Sequence, residues 1–370
     1  MYTNDKKLNL LLILTVSALW IVGLSYGSGI GQSYHIYERT MLITVVAFMC
    51  FSVLKGKFKK INRSVFFVAV YVIIHNLYTE IRYGNTYFEY IWLYLLAILL
   101  SEFKISKKSM TIIGVIYGGL GFLILIVANY TAILSGWDGN SISMIGFFSY
   151  AVFAASVSEI RDIKKVFAMI VYSLVYFYLL ESLNSRSSIL FSIIIVLSCF
   201  RIIPMNKIIE NKRATIVLLL IPLIVAIFIV TIRNMEFINQ LNIWSYKTFS
   251  KPIFNGRDEI WYSGFIRLGK NILFGTGTLA GNWHNSAVTA LVGWGVVGYT
   301  IWLACIKSCF DKVRNAMEDG LLISLASVYI IVWIHQTVEL GLIQVRGNPI
   351  LFVILGLLLG RAKMMQKQIN

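Results

Sequence analysis

Residues 214–232 read ATIVLLLIPLIVAIFIVTI and carry no charged side chain. An α-helix needs about 20 consecutive apolar residues to cross the hydrocarbon core of a bilayer, and this run has nearly that length. Lys212 and Arg213 precede the run and Arg233 follows it, so charges that stay in water or among lipid headgroups mark both ends. The run therefore predicts a transmembrane α-helix.

The composition extends this conclusion to the whole chain. Of its 370 residues, 58% are hydrophobic and only 14% are charged. A water-soluble domain of this size would lack the polar side chains needed to cover its surface. Since no long repeat or low-complexity segment divides the sequence, we predict one integral membrane domain over residues 1–370, an all-α polytopic membrane protein.

Further apolar runs lie on both sides of residues 214–232. Taken near the bilayer-spanning length, they predict about twelve transmembrane helices. The predicted spans are residues 8–26, 40–54, 64–79, 87–102, 110–135, 142–157, 166–181, 188–204, 214–232, 286–306, 320–337 and 348–360.

The basic residues predict how these spans are oriented. The formal net charge is +16, with 33 Lys and Arg residues against 17 acidic ones. If the N-terminus is cytoplasmic, 23 of the 33 fall on the cytoplasmic side, as the positive-inside rule requires. Both termini are therefore expected in the cytoplasm, and the charge requires no nucleic-acid partner. The one sizeable hydrophilic segment, residues 233–285, then lies outside as an extracytoplasmic loop.

This loop is predicted to carry short amphipathic helices. Asn255 and Gly256 are suited to begin a helix whose first turn holds Asp258 and Glu259, acids that the positive end of a helix dipole favours. Apolar residues follow every three or four positions and form one face of the helix. They are Ile260, Trp261, Phe265 and Leu268. We expect this helix to lie on the membrane surface, with Arg257 at headgroup level.

The residues that indicate function lie in the stretch 254–298, which reads FNGRDEIWYSGFIRLGKNILFGTGTLAGNWHNSAVTALVGWGVVG. After a glycine-rich turn, His284 and Asn285 open a hydrophobic span. Gly295 follows after nine further residues, and Gly298 after two more. Two glycines three apart in a membrane helix by themselves indicate only close helix packing.

A resemblance to a known family rests on these motifs in combination. The spacing from His284 to the two glycines, the preceding NGRDEIW and LFGTG segments, and NSRSS around Arg186 together resemble the O-antigen ligase and polymerase (Wzy/WaaL) superfamily. The resemblance covers about residues 166–360. It implies a glycosyltransferase of the bacterial inner (cytoplasmic) membrane that moves a glycan from an undecaprenyl diphosphate carrier to an acceptor sugar at the outer face.

The resemblance also implies the partners and the class of reaction. The expected partners are the carrier-linked glycan donor and acceptor, membrane lipids, and flippase and chain-length regulator proteins, with no cofactor and no metal. We favour a polymerase of O-antigen or capsule repeat units, because the segment between Arg257 and His284 is compact and the chain is short for a ligase. An O-antigen ligase, which transfers the glycan to lipid A-core, is the alternative.

Three residues match the family's functional positions. Arg186 and Arg257 match its two essential arginines, whose planar guanidinium groups suit a diphosphate. His284 matches its histidine and is expected to act as general base toward an acceptor hydroxyl or to hydrogen-bond the diphosphate. Outside the family's pattern, a lone interfacial histidine is more often structural, and an interfacial arginine often only anchors a helix.

Further substrate contacts are assigned to residues around these three. They are Asn285, Arg267, Lys270 and Glu259. A lipid-linked oligosaccharide transporter (flippase) remains a second alternative, although such proteins usually show two related halves and polar groups near the middle of the membrane.

Overall fold

The structure of the chain is a computed structural model. It describes residues 43, 46, 47, 50, 63–84, 89–103, 105–131, 133, 139–157, 163–183, 185–277, 283–338 and 350–369. The predicted span 8–26 and nearly all of the predicted span 40–54 lie outside the described residues.

All regular secondary structure in this described part of the chain is helical. In chain order the helices are α1 (Arg63–Tyr83), α2 (Glu89–Leu100), α3 (Lys107–Tyr130), α4 (Gly139–Val157), α5 (Ile163–Glu181), α6 (Arg186–Cys199), α7 (Met205–Glu210), α8 (Lys212–Ile232), α9 (Glu236–Phe249), α10 (Arg257–Leu268), α11 (Ser286–Arg314), α12 (Gly320–His335) and α13 (Ile350–Ile369).

Four of these helices, α1, α3, α8 and α11, are long and apolar enough to cross a membrane. The prediction of a helical, membrane-embedded protein is thereby confirmed. Each predicted span from 64–79 to 348–360 coincides with a helix, but α2 and α6 have only 12 and 14 residues. The number of twelve spans and the side on which each loop lies remain predictions.

The segment 233–285 contains the helices α9 and α10, and α10 begins at Arg257 with Asp258 and Glu259 in its first turn, as expected. Its apolar face is used differently from the expectation. Trp261 is fully buried in a cluster with Trp283 and with residues of α8 and α11. The face that was expected to rest on the membrane surface therefore packs against the protein.

Helix α11 is interrupted at Gly295, whose φ of 67° and ψ of −174° are not helical. The loop 271–277 lies beside this break and supplies the hydrogen-bond partners that the interrupted helix lacks. Four backbone hydrogen bonds join them: Thr276 N to Val292 O at 2.8 Å, Gly277 N to Gly293 O at 3.0 Å, Val296 N to Ile272 O at 2.9 Å, and Val297 N to Leu273 O at 3.1 Å.

Helix α1 holds the loop 271–277 and the broken helix together. The hydroxyl of Tyr71 donates to the Trp294 carbonyl at 2.9 Å, directly before the break. Nε2 of the buried His75 donates to the Phe274 carbonyl at 2.5 Å. Polar groups of a membrane helix are thus matched to the backbone of an irregular segment, which apolar surroundings require.

A buried ion pair joins α13 to the connection between α11 and α12. Arg361 donates from Nε and Nη2 to the carboxylate of Asp319, at 2.9 and 2.6 Å, and from Nη1 to the carbonyl of Ile105 at 2.8 Å. Burial opposes ionisation of Asp319, but the hydrogen bonds and charge of Arg361 outweigh it, so the pKa of this carboxyl lies below its usual value. Asp319 also caps α12 through the backbone N–H of Leu322.

We expect Gly295→Ala to destabilise the protein. A Cβ at this position would lie 2.3 Å from the carbonyl oxygen of Leu273, and the backbone conformation is one that glycine adopts far more readily than other residues. The conformational contribution alone is on the order of 1–3 kcal/mol. Thermal unfolding in detergent measures the effect.

Gly119→Ala is the matched control for this substitution. Gly119 lies within α3, and nothing is within 4 Å of a Cβ built there. Alanine favours helix over glycine, so this variant should unfold at the wild-type temperature or slightly above it. Equal unfolding midpoints for the two variants would contradict the requirement for glycine at the break.

Candidate functional site

The turn 336–338, which follows α12, brings the beginnings of α10 and α11 together. Its three consecutive carbonyl groups each accept a hydrogen bond from one of these two helix starts. The bonds are Ser286 N to Gln336 O at 3.0 Å, Asn285 Nδ2 to Thr337 O at 3.0 Å, and Arg257 Nε to Val338 O at 3.1 Å. Arg257 and the neighbourhood of His284 are thereby attached to one short piece of backbone.

Asn285 is fully buried and uses all four of its side-chain hydrogen bonds within the protein. Oδ1 caps α11 by accepting from the N–H groups of Ala287 and Val288, at 2.8 and 3.0 Å. Nδ2 donates to the carbonyls of Pro222 and Thr337, at 2.9 and 3.0 Å. The substrate contact that we expected from Asn285 is therefore replaced, in our interpretation, by a positioning role beside His284.

His284 has a φ of 45°, in the left-handed region that residues other than glycine seldom occupy. Both of its neighbours are fixed. The Trp283 carbonyl accepts from Nε1 of Trp261 at 2.7 Å, and Asn285 makes the bonds described above. Strained backbone of this kind is maintained where surrounding contacts over-determine it, often at functional sites. The His284 side chain is partly exposed, so an external molecule can reach it.

Arg257 is the first residue of α10 and is partly buried. Asn255 and Gly256 before it both have positive φ, 52° and 77°, so the chain turns sharply into the helix. The bond from Arg257 Nε to Val338 O fixes one edge of the guanidinium. The two terminal nitrogens are then the part of the side chain that a bidentate ligand would use.

Glu259 lies in the first turn of α10 and is strongly exposed. Its carboxylate is 3.8 Å from Nε of Arg233, a residue at the end of α8. Arg233 in turn lies over the ring of Tyr262, with 3.3 Å between the guanidinium carbon and the ring centroid. The sequence indicates an interfacial location for Arg233, directly after the apolar run 214–232, but it does not indicate the contacts with Glu259 and Tyr262.

Arg267 and Lys270 lie at and beyond the other end of α10, and both are exposed. With a rise of 1.5 Å per residue, Arg267 is roughly 15 Å along the helix from Arg257. The structure therefore does not bring these two residues to the turn 336–338. The substrate contacts expected of Arg267 and Lys270 remain a prediction.

Arg186 begins α6 and is exposed at a groove of about 550 Å³ between α5 and α6. The groove is lined by Leu174, Phe177, Tyr178, Glu181, Arg186 and Ile189. Helix α6 contacts the end of α12, since the ring centroid of Phe191 is 5.1 Å from that of His335, the residue before the turn 336–338. Arg186 therefore lies on a helix that packs beside the turn, but its side chain lines a separate groove.

A comparison of the chain with protein-family models and with curated proteins gives no match in either.

The four hydrogen bonds of Asn285 predict a difference between two asparagines. Asn285→Asp should destabilise the protein, since a carboxylate would keep the helix cap but face the carbonyl oxygens of Pro222 and Thr337 instead of donating to them. An unsatisfied buried polar group costs about 1–3 kcal/mol, and more for a charged one. The measurement is the thermal unfolding midpoint in detergent.

Asn211→Asp provides the matched control. Asn211 caps α8 by accepting from the N–H groups of Arg213 and Ala214, and it is exposed. Aspartate caps helices about as well as asparagine, so the midpoint should stay near wild type. A similar loss in both variants would mean that the two donated bonds of Asn285 contribute nothing beyond the cap.

Proposed function

We propose that the protein is a membrane glycosyltransferase that polymerises undecaprenyl-diphosphate-linked oligosaccharide repeat units at the extracytoplasmic face of the membrane, in the biosynthesis of a surface polysaccharide such as O-antigen or capsule. One observation carries the proposal. Arg257 and the segment that holds His284 bond to consecutive carbonyls of the turn 336–338. A cation suited to phosphate and a titratable imidazole are therefore held at one place in a membrane-embedded protein.

The reaction that suits this pair is displacement at a sugar carbon linked to the diphosphate. The acceptor hydroxyl forms a bond to that carbon, the bond to the diphosphate oxygen breaks, and the diphosphate leaves with its negative charge. His284 accepts the hydroxyl proton as general base. Arg257 binds oxygens of the diphosphate and stabilises the charge that develops there.

Arg186 is assigned to the carrier lipid. Its groove, which is also lined by the apolar residues Leu174, Phe177 and Ile189 and by Tyr178 and Glu181, suits a lipid whose phosphates lie at headgroup level and whose hydrocarbon chain lies among the helices. Arg267 and Lys270 add positive charge along the same exposed segment. The scheme uses no nucleotide and no metal, since arginine supplies the charge that the departing diphosphate requires.

We expect His284→Ala to abolish synthesis of long glycan while the membrane level and thermal stability stay near wild type. A general base contributes about 10²- to 10⁴-fold to the rate. The assay uses purified protein and a synthetic undecaprenyl-diphosphate-linked repeat unit as both donor and acceptor, with and without EDTA. Polymer formation at the wild-type rate by His284→Ala would refute the proposed mechanism.

His284→Gln separates the two roles of the histidine. Glutamine keeps a hydrogen bond but does not take up a proton at neutral pH, so the variant should remain inactive if His284 is the base. Recovery of activity would assign His284 to positioning the diphosphate.

A wild-type protein that transfers glycan to added lipid A-core, but does not extend the carrier-linked unit alone, would be a ligase.

Arg257→Lys should be strongly impaired although the charge is retained. An ammonium group reproduces neither the anchoring bond to Val338 nor two parallel hydrogen bonds to phosphate. A lost hydrogen bond to a charged group is worth about 1.5–3 kcal/mol, which corresponds to roughly a tenfold to hundredfold lower rate. Near-normal chain length in the lysine variant, with none in Arg257→Ala, would show that only the charge matters.

A further inference from the structure

Arg233 holds its charge in an unusual setting at the end of α8. Its guanidinium carbon is 3.3 Å from the centroid of the Tyr262 ring, and only 12% of the side chain is exposed. Its Nε–H is buried and has no hydrogen-bond acceptor among the residues that the structure describes. Most buried donors in proteins are satisfied by protein groups, water or bound ions, so the Nε–H of Arg233 is a position where a bound acceptor would complete the hydrogen bonding.

The nearby groups compensate this cation only weakly. The carboxylate of Glu259, 3.8 Å away, is beyond hydrogen-bond distance, and its side chain is 70% exposed. Exposed ion pairs of this kind contribute little, because water and salt screen them. The C-terminal end of α8 offers a partial negative charge to Arg233, but it does not accept the Nε–H.

The stacking on Tyr262 also determines how Arg233 can bind a ligand. The ring covers one face of the guanidinium, so its N–H groups, which lie in the plane, point outward at the edge. That edge matches two oxygens of a phosphate group. Tyr262 lies five residues after Arg257 on α10, roughly 8 Å along the helix axis. Arg233 and Arg257 therefore both lie against the first part of α10.

We propose that Arg233 binds a phosphate oxyanion of a lipid beside α10, the helix that begins with Arg257. The inference rests on the proposed function and extends it, because it assigns the diphosphate a ligand that no motif in the sequence indicated. The phosphate belongs either to the undecaprenyl diphosphate carrier or to an anionic phospholipid. Binding measurements with both lipids distinguish these two sources. Glu259 competes with the ligand for Arg233.

The experiment measures lipid binding to the purified full-length protein by native mass spectrometry. The probes are undecaprenyl diphosphate, undecaprenol, which lacks phosphate, and phosphatidylglycerol. We expect Arg233→Gln to weaken binding of undecaprenyl diphosphate about tenfold to a hundredfold, as expected for one lost charged contact, and to leave binding of undecaprenol unchanged. Arg233→Lys keeps the cation and therefore should fold if folding requires only the charge. It should still bind undecaprenyl diphosphate less tightly than the wild type, because lysine does not replace the planar guanidinium.

Two further variants distinguish ligand binding from a structural role. Glu259→Gln removes the competing carboxylate and should tighten binding of undecaprenyl diphosphate, whereas loss of a purely structural ion pair would not. Arg82→Gln is the control, since Arg82 is an exposed arginine at the end of α1 that also lies over tyrosine rings, 5.7 and 6.0 Å from their centroids. It should bind all three probes as the wild type does.

The outcomes separate this inference from the proposed function. Wild-type affinity for both undecaprenyl diphosphate and phosphatidylglycerol in Arg233→Gln overturns the role of Arg233 and leaves the polymerase proposal intact. Weaker binding of phosphatidylglycerol alone assigns the oxyanion site to membrane phospholipid, weaker binding of undecaprenyl diphosphate alone assigns it to the carrier, and a parallel loss supports a site that accepts the phosphate of either lipid. Equal binding of undecaprenyl diphosphate and undecaprenol by the wild-type protein would contradict the proposed function. In that case, the effect of Arg233→Gln on phosphatidylglycerol binding alone tests the role of Arg233.

Discussion

The backbone hydrogen bonds between the loop 271–277 and the break in α11 are the constraint on which the rest of this structure depends. In apolar surroundings, each unsatisfied N–H or carbonyl is costly, so a helix cannot be interrupted there unless other groups complete its bonding. Here the loop donates to the carbonyls of Val292 and Gly293 before Gly295 and accepts from the N–H groups of Val296 and Val297 after it. Helix α1 holds both parts, since His75 donates to Phe274 of the loop and Tyr71 donates to Trp294 of α11. One interrupted helix thus joins three parts of the chain.

The same arrangement fixes the candidate site. The loop 271–277 follows α10 and is attached to the broken helix, and α10 packs against α11 through Trp261, which lies in one cluster with Val288 and Val292. That packing places the two helix starts side by side, where the turn 336–338 bonds to both. Hydrogen bonds to the backbone carbonyls of this turn therefore hold the segment of His284 near the start of α10, where Arg257 lies.

The sequence predicts those features whose cause is local. The apolar run 214–232 and its basic flanks locate α8 almost to the residue, and Asn285 and the acids after Arg257 locate two helix starts. Features that arise from contacts between distant segments are not predictable in this way. Gly295 reads as an ordinary packing glycine, and the carbonyls that hold Arg257 and Asn285 leave no signature in a sequence. For that reason, neither the four hydrogen bonds of Asn285 nor the turn 336–338 was anticipated.

The turn 336–338 also has a consequence for how the protein matures. A membrane protein enters the bilayer from its N-terminal to its C-terminal end as it is synthesised, and this turn follows Arg257 and His284 by more than fifty residues. Until α12 has inserted, neither helix start has the carbonyls that hold it. In a partly synthesised chain, these residues are therefore present but not yet held together. The site is assembled at a late step of biogenesis, after α12 and the turn 336–338 have been synthesised.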